Sequence, residues 1–164
     1  MERGIVTDRP QRSRHAPYAT VLISLLCLFT FAVYASLSPL MQQVLIDLGG
    51  MQAAAVAGLF DGSWTGRWNV PALSLFTALF LHAGWLHLLG NLVFLWVFGI
   101  KVEQRLAWFG TALVFLLGGA LANLIVALRL PELATPIIGA SGAVSAVVGA
   151  YLGLFPRRHI GLFL

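Results

Sequence analysis

The chain has 164 residues, of which 59% are hydrophobic and only 10% charged. Soluble domains carry about 25% charged residues, and a mean hydropathy of +0.89 excludes both an ordinary soluble domain and a disordered chain. The net charge of +4 is no nucleic-acid footprint. Arg3, Arg9, Arg12 and Arg14 precede the first apolar run, and the other basic residues stand singly or in pairs between later runs. That is a topology signal for a multi-pass helical membrane protein.

Taken in chain order, residues 1–19 read as a cytoplasmic tail. The run 20–40 is too long for a signal-peptide core and lacks a small-x-small cleavage site, so it reads as a retained span. Its single cysteine, Cys27, is expected to pack as a small hydrophobe. Residues 41–79 mix Asp47, Asp61, glycines, Trp64 and Trp68. They read as an interfacial loop, with a short helix expected around Gln52–Leu59.

Three further spans are expected at about 80–99, 106–128 and 141–155, giving an all-α bundle over 20–158. Lys101, Arg105, Arg157 and Arg158 fall on the side of the N-terminal arginines, and only Arg67 and Arg129 fall on the other. The bias places the N-terminus in the cytoplasm. Short loops suggest a bacterial inner membrane.

Polar groups within apolar spans are costly, and they mark candidate sites. His87 and Asn91 are four residues apart and share one helix face. His82 is rotated away from them and is expected at the outer rim. Counting helical rise from the inner boundary puts His87 and Ser141 at a similar depth, about 21 and 22 Å. Non-helical backbone at that depth, here 136–140, must be buried in protein or face a water cavity. In the fourth span Gly142, Ser145, Gly149 and Gly153 form a small-residue stripe, expected to make that helix central. Simpler readings exist: Ser141 can be a helix cap, and His87, Asn91 and Asn123 can be interhelical hydrogen bonders. Trp64, Trp68, Trp85 and Trp108 read as belt residues at the membrane surface. No cluster of metal-ligand type and no phosphate loop is present in the sequence, so no cofactor is indicated.

His82-x4-His87-x3-Asn91, the Val102-Glu103-Gln104-Arg105-Leu106 turn, and Gly139-Ala140-Ser141-Gly142 opening a later span together resemble the rhomboid intramembrane serine proteases. The resemblance runs from about Arg67 to Arg158 and implies a bundle of six helices. It implies that Ser141 is the nucleophile. The Ser141 N–H with the His87 and Asn91 side chains would form the oxyanion hole. His82 would keep polar groups and water at the site mouth, with Gly139 and Gly142 allowing close backbone approach. Glu103 and Arg105 would be structural, tying loops at the cytoplasmic end or reaching the first loop.

Two departures stand out. The family's base is a histidine on a sixth span in an Ala-His-x-x-Gly motif, which this sequence lacks. His159 lies roughly 27 Å of helical rise from Ser141, too far to act as base. The residue one turn after the nucleophile, often aromatic in the family, is Ser145. The chain turns apolar again over residues 160–164, and 159–164 reads as the start of a truncated segment. The expected function is endoproteolysis of membrane proteins at or beside a transmembrane segment, with the lipid bilayer as surroundings and no nucleic-acid partner. The alternatives are a rhomboid-like protein that holds client helices without cleaving them, and an unrelated four-span structural protein.

Overall fold

A computed structural model describes residues 16–67 and 69–156. The N-terminal arginines, Trp68, Arg157, Arg158, His159 and the apolar end 160–164 lie outside the described residues. Helix α1 spans Tyr18–Ser36, α2 Pro39–Gly49, α3 Ala53–Asp61 and α4 Asn69–Thr77. A 3-10 turn, Ala78–Phe80, leads to α5 (Trp85–Phe94). A π-helical segment, Leu95–Gly99, joins α5 to α6 (Ile100–Arg129), and α7 spans Ser141–Leu154. Among the described residues the only strand-like feature is one isolated antiparallel bridge, Met51 to Ile137.

The protein is all-α, as the composition requires. Among the described residues two helical stretches are long and apolar enough to cross a membrane, Tyr18–Ser36 and Trp85–Arg129. The second is 45 residues long, about 68 Å if straight and more than twice a hydrocarbon core of about 30 Å. It is not straight. Ala107 has φ 57° and ψ 178°, a conformation left almost entirely to glycine, and it folds the stretch into two arms, 85–106 and 108–129. The Phe80 ring, just ahead of the first arm, lies 5.9 Å from Phe115 in the second. Lys101, Glu103 and Arg105 therefore lie within a helix that runs past residue 99, and the turn comes at residues 106–107. Residues 41–79 are not an open loop either: α2, α3 and α4 fill most of them, with α3 close to the short helix expected there.

The bundle's outer surface is apolar. Leu117, Leu121, Ile125 and Leu128 form an exposed stripe on the second arm, and Leu22, Leu26, Phe29 and Val33 form another on α1. Helical stripes of this kind, exposed on several elements, suit a hydrocarbon solvent rather than water. Inside, Ile23, Cys27 and Phe31 of α1 pack with Leu88, Leu95, Phe98, Phe115 and Val147, so Cys27 is the packed hydrophobe its position suggested.

The most extensive helix pairing is α6 with α7. Small residues make it possible. A Cβ on Gly142 would lie 2.7 Å from Ala122, and one on Gly119 would lie 2.8 Å from Ala143. Gly149 and Gly153 have open space instead, and Ser145 is exposed. The stripe is therefore split. Only its Gly142 edge packs, and α7 is not enclosed among the described residues as a central helix would be.

Two polar tethers fix the bundle's ends. Glu103 is 3% exposed. Its carboxylate accepts hydrogen bonds from the Ala19 N–H at 2.8 Å, the Thr20 N–H at 2.9 Å and the Thr20 hydroxyl at 2.8 Å. Pro17 occupies the cap position of α1 without a side-chain cap, so Glu103 satisfies first-turn amides that would otherwise be orphaned. Its charge also sits at the positive end of the α1 dipole. Of the two structural roles open from the sequence, tying the cytoplasmic end or reaching the first loop, the contact is with the start of α1. At the opposite end the buried Met51 exchanges two hydrogen bonds of 2.9 Å with Ile137.

Candidate active site

The segment 136–140 carries the residue of interest to its place. Its backbone is non-helical yet tied to neighbours. Ile137 pairs with Met51, the Gly139 N–H donates to the Ala78 carbonyl at 2.8 Å, and the Ala140 N–H reaches His82 Nε2 at 3.4 Å. Gly139 has φ +111°, and a Cβ there would run into the His87 ring. Both facts demand glycine. Gly50 is constrained by contact alone: a Cβ would lie 2.6 Å from the Ile46 carbonyl oxygen and 3.0 Å from Pro136 and Ile138.

Ser141 is the first residue of α7, and Ala140 holds the cap position. The serine is therefore not the cap of its own helix. The first intrahelical bond of α7 runs from the Val144 N–H to the Ala140 carbonyl at 2.8 Å, which leaves the amides of the first turn without intrahelical acceptors. Ser141 is exposed, and among the described residues its hydroxyl makes no hydrogen bond. It opens onto a groove of about 450 Å³ lined by Leu86, His87, Gly90, Asn91 and Phe94 of α5 and by Ser141, Val144, Ser145 and Val148 of α7. The fold thus brings Ser141, His87 and Asn91 to one groove. Gly142 faces α6 instead, packing on Ala122.

The polar residues of α5 are not equivalent. His87 is exposed, with its ring lying over Gly139. Asn91 is 8% exposed, and its carboxamide nitrogen is engaged twice, donating to the His87 carbonyl at 3.0 Å and lying 3.2 Å from His82 Nε2. His82 is 1% exposed and belongs to the core beneath the groove, not to a rim. The extended stretch before α5 turns its ring inward, which a helical count from residue 80 could not show. Ser145 donates from its hydroxyl to the Ser141 carbonyl at 2.8 Å and presents no ring.

Asn123 donates to the Leu75 carbonyl at 2.9 Å, the interhelical role its position suggested. Trp85 and Trp108 are exposed, at 62% and 58%, as belt residues would be. Trp64 differs, because its indole nitrogen is buried and its ring fills the space beside Gly66. Thr30, Met51 and Ala78, which hold the polar residues and the 136–140 segment, carried no sequence signal, since each acts through a backbone contact distant in the chain. No group of histidine, cysteine, aspartate and glutamate able to hold a metal occurs among the described residues.

Comparison with known proteins identifies the family. Residues 69–164 match the model of the Rhomboid domain. The chain is 49% identical over 77 residues to Rhomboid-like protein 11, chloroplastic, of Arabidopsis thaliana, covering 46% of the chain and 27% of the relative. It is 30% identical over 138 residues to Rhomboid-related protein 2 of Mus musculus, covering 82% of the chain and 42% of that protein. It is also 34% identical over 85 residues to Inactive rhomboid protein 1 of Drosophila melanogaster, covering 52% of the chain and 6% of that protein. The chain thus spans less than half the length of each of these relatives. No solved structure matches it at comparable significance.

Proposed function

The chain belongs to the rhomboid family of membrane proteins, and on that premise we propose that it is an intramembrane serine endopeptidase acting on transmembrane or juxtamembrane segments of other membrane proteins. The observation that carries the reading is the unbonded Ser141 hydroxyl at the first turn of α7, opening onto the groove it shares with His87 and Asn91. Four spans are part of the proposal: α1, the two arms 85–106 and 108–129, and the shorter α7. The end bearing Glu103 and the start of α1 faces the more basic, cytoplasmic side. Named plant relatives belong to chloroplast and mitochondrion, which lends no support to the bacterial membrane expected from short loops, so the proposal stops at orientation.

In the proposed reaction Ser141 Oγ attacks the scissile carbonyl carbon as a base takes its proton. The carbonyl oxygen becomes an oxyanion, and collapse expels the amine, which receives the proton. Water then releases the acyl group. The Ser141 amide at the positive end of α7 and the exposed His87 ring are the donors free to meet the oxyanion. Asn91 joins them by exchanging one of its present partners. Neither His82 nor His87 hydrogen-bonds the Ser141 hydroxyl, and we assign the base to a residue outside the described ones.

Two observations favour a second reading, a non-catalytic protein that holds client helices. No base bonds to Ser141 among the described residues, and one relative is named an inactive rhomboid. Labelling by a fluorophosphonate in lipid, together with cleavage of a transmembrane reporter, separates the two. The protease labels at Ser141, loses both activities in Ser141→Ala, and keeps its fold. Client association that survives Ser141→Ala, with no cleavage product from the wild type, supports the second reading.

A further inference from the structure

His82 offers a chemistry that the sequence pattern does not assign. Its Nδ1 lies 3.2 Å from the Phe80 carbonyl. A carbonyl only accepts, so Nδ1 carries the hydrogen. The Nε2 of that neutral ring then only accepts. Both groups facing it are donors: the Asn91 carboxamide nitrogen at 3.2 Å and the Ala140 N–H at 3.4 Å. One tautomer satisfies every contact, and the other would set hydrogen against hydrogen on one side and two lone pairs against each other on the opposite side.

The ring is also held from behind. The Phe80 carbonyl accepts a second hydrogen bond, from the Thr30 hydroxyl of α1. At 1% exposure His82 has no water to replace a lost partner, and a buried group left unpaired is costly. A single acceptor atom thus joins Asn91 on α5 to the residue preceding Ser141 on α7. The two helices that supply the groove's polar groups are keyed to each other through it.

We propose that His82 is a positioning residue: fixed as the Nδ1–H tautomer by the Phe80 carbonyl and Thr30, its Nε2 sets the start of α7 against Asn91, and so sets Ser141 against the oxyanion donors. The link to catalysis rests on the protease reading above. The positioning itself does not.

The test uses the full chain in lipid, with ring-¹⁵N histidine and backbone amide exchange. The wild type shows a one-bond N–H coupling at Nδ1 of His82 and none at Nε2. Glutamine can place its carbonyl oxygen where Nε2 stood, whereas asparagine reaches only the Nδ1 position. Exchange of the Ala140 amide rises about five- to tenfold in His82→Asn, the scale of one lost hydrogen bond, and stays near wild type in His82→Gln. Fluorophosphonate labelling of Ser141 follows the same order, while amides inside α1 are unchanged in both variants. A hydrogen on Nε2 in the wild type overturns the proposal, as does equal Ala140 exchange in the two variants. If His82→Asn fails to fold, the wild-type coupling and the Ala140 exchange of His82→Gln still decide it. If the wild type never labels, the protease reading falls, and the coupling and exchange still decide the positioning.

Discussion

The two ends of this bundle treat polar groups in opposite ways. Around Glu103 the carboxylate is buried, it accepts three hydrogen bonds, and the start of α1 is fixed by them. Around Ser141 a hydroxyl stands exposed without a hydrogen bond among the described residues, beside an exposed histidine and a glycine in a left-handed backbone. Both ends carry groups that an apolar solvent disfavours. At the first, every group is used to hold helices together. At the second, a rigid frame is satisfied and the groups it presents are left free. Burial and saturation hold the first end together, whereas exposure on a saturated frame is what the proposed chemistry would use.

Breaking the saturated end gives the largest loss of stability. Glu103→Ala removes all three hydrogen bonds to a buried charge and orphans the first-turn amides of α1. It is expected to cost about 3–5 kcal/mol, seen as a lower unfolding midpoint in detergent, with Glu103→Gln losing less because one carbonyl oxygen still accepts. Unchanged stability in Glu103→Ala would remove the contrast drawn here. Next comes the frame of the site. Gly139→Ala forces a side chain into a positive-φ position and against His87, at about 2–4 kcal/mol, with labelling of Ser141 lost.

The turn between the two arms predicts a gain. Ala107 holds φ 57° and ψ 178°, so Ala107→Gly is expected to stabilise by about 0.5–1 kcal/mol, the relief of strain exceeding glycine's entropy in the unfolded chain. Its carbonyl still accepts from the Thr111 hydroxyl. The free end predicts near indifference: Ser141→Ala shifts stability by less than about 0.5 kcal/mol, because no bond of that hydroxyl is lost. A large destabilisation there would make Ser141 structural.

The smallest effect lies after α3. The Ser63 N–H, then the Ser63 hydroxyl, holds the Asp61 carboxyl below its ordinary value. A carboxyl with a depressed folded pKa contributes stability above its unfolded pKa and loses it as pH falls through the folded one. Titration of the Asp61 carboxyl carbon by NMR should show the low value in wild type and a return toward normal in Ser63→Ala, where the backbone bond alone remains.

The apolar runs, the basic residues between them and the His82–His87–Asn91–Ser141 pattern made the helical membrane class and the family legible. Those signals are local, written in hydropathy and in spacing along one helix. The start of α7 at Ser141 was legible for the same reason, since Pro136 and Gly139 precede an apolar helix. The reach of His82 was not, because its orientation depends on an extended stretch, residues 81–84, that a helical count treats as helix. Nor was the division of the small-residue stripe, since Gly142 and Gly149 read alike until α6 is placed against one of them.

By itself, then, the sequence determined an all-α membrane protein with a serine and a histidine–asparagine pair at one depth, because burial in lipid constrains composition and period directly. Tertiary structure alone decided that Glu103 grips the start of α1, that Ala107 turns the long helix back, and that Met51, Ala78 and His82 hold the segment ahead of Ser141. Apart from the local turn at Ala107, those contacts join residues far apart in the chain and each ends on a backbone atom of at least one partner. Every residue carries such atoms, so no residue type announces them.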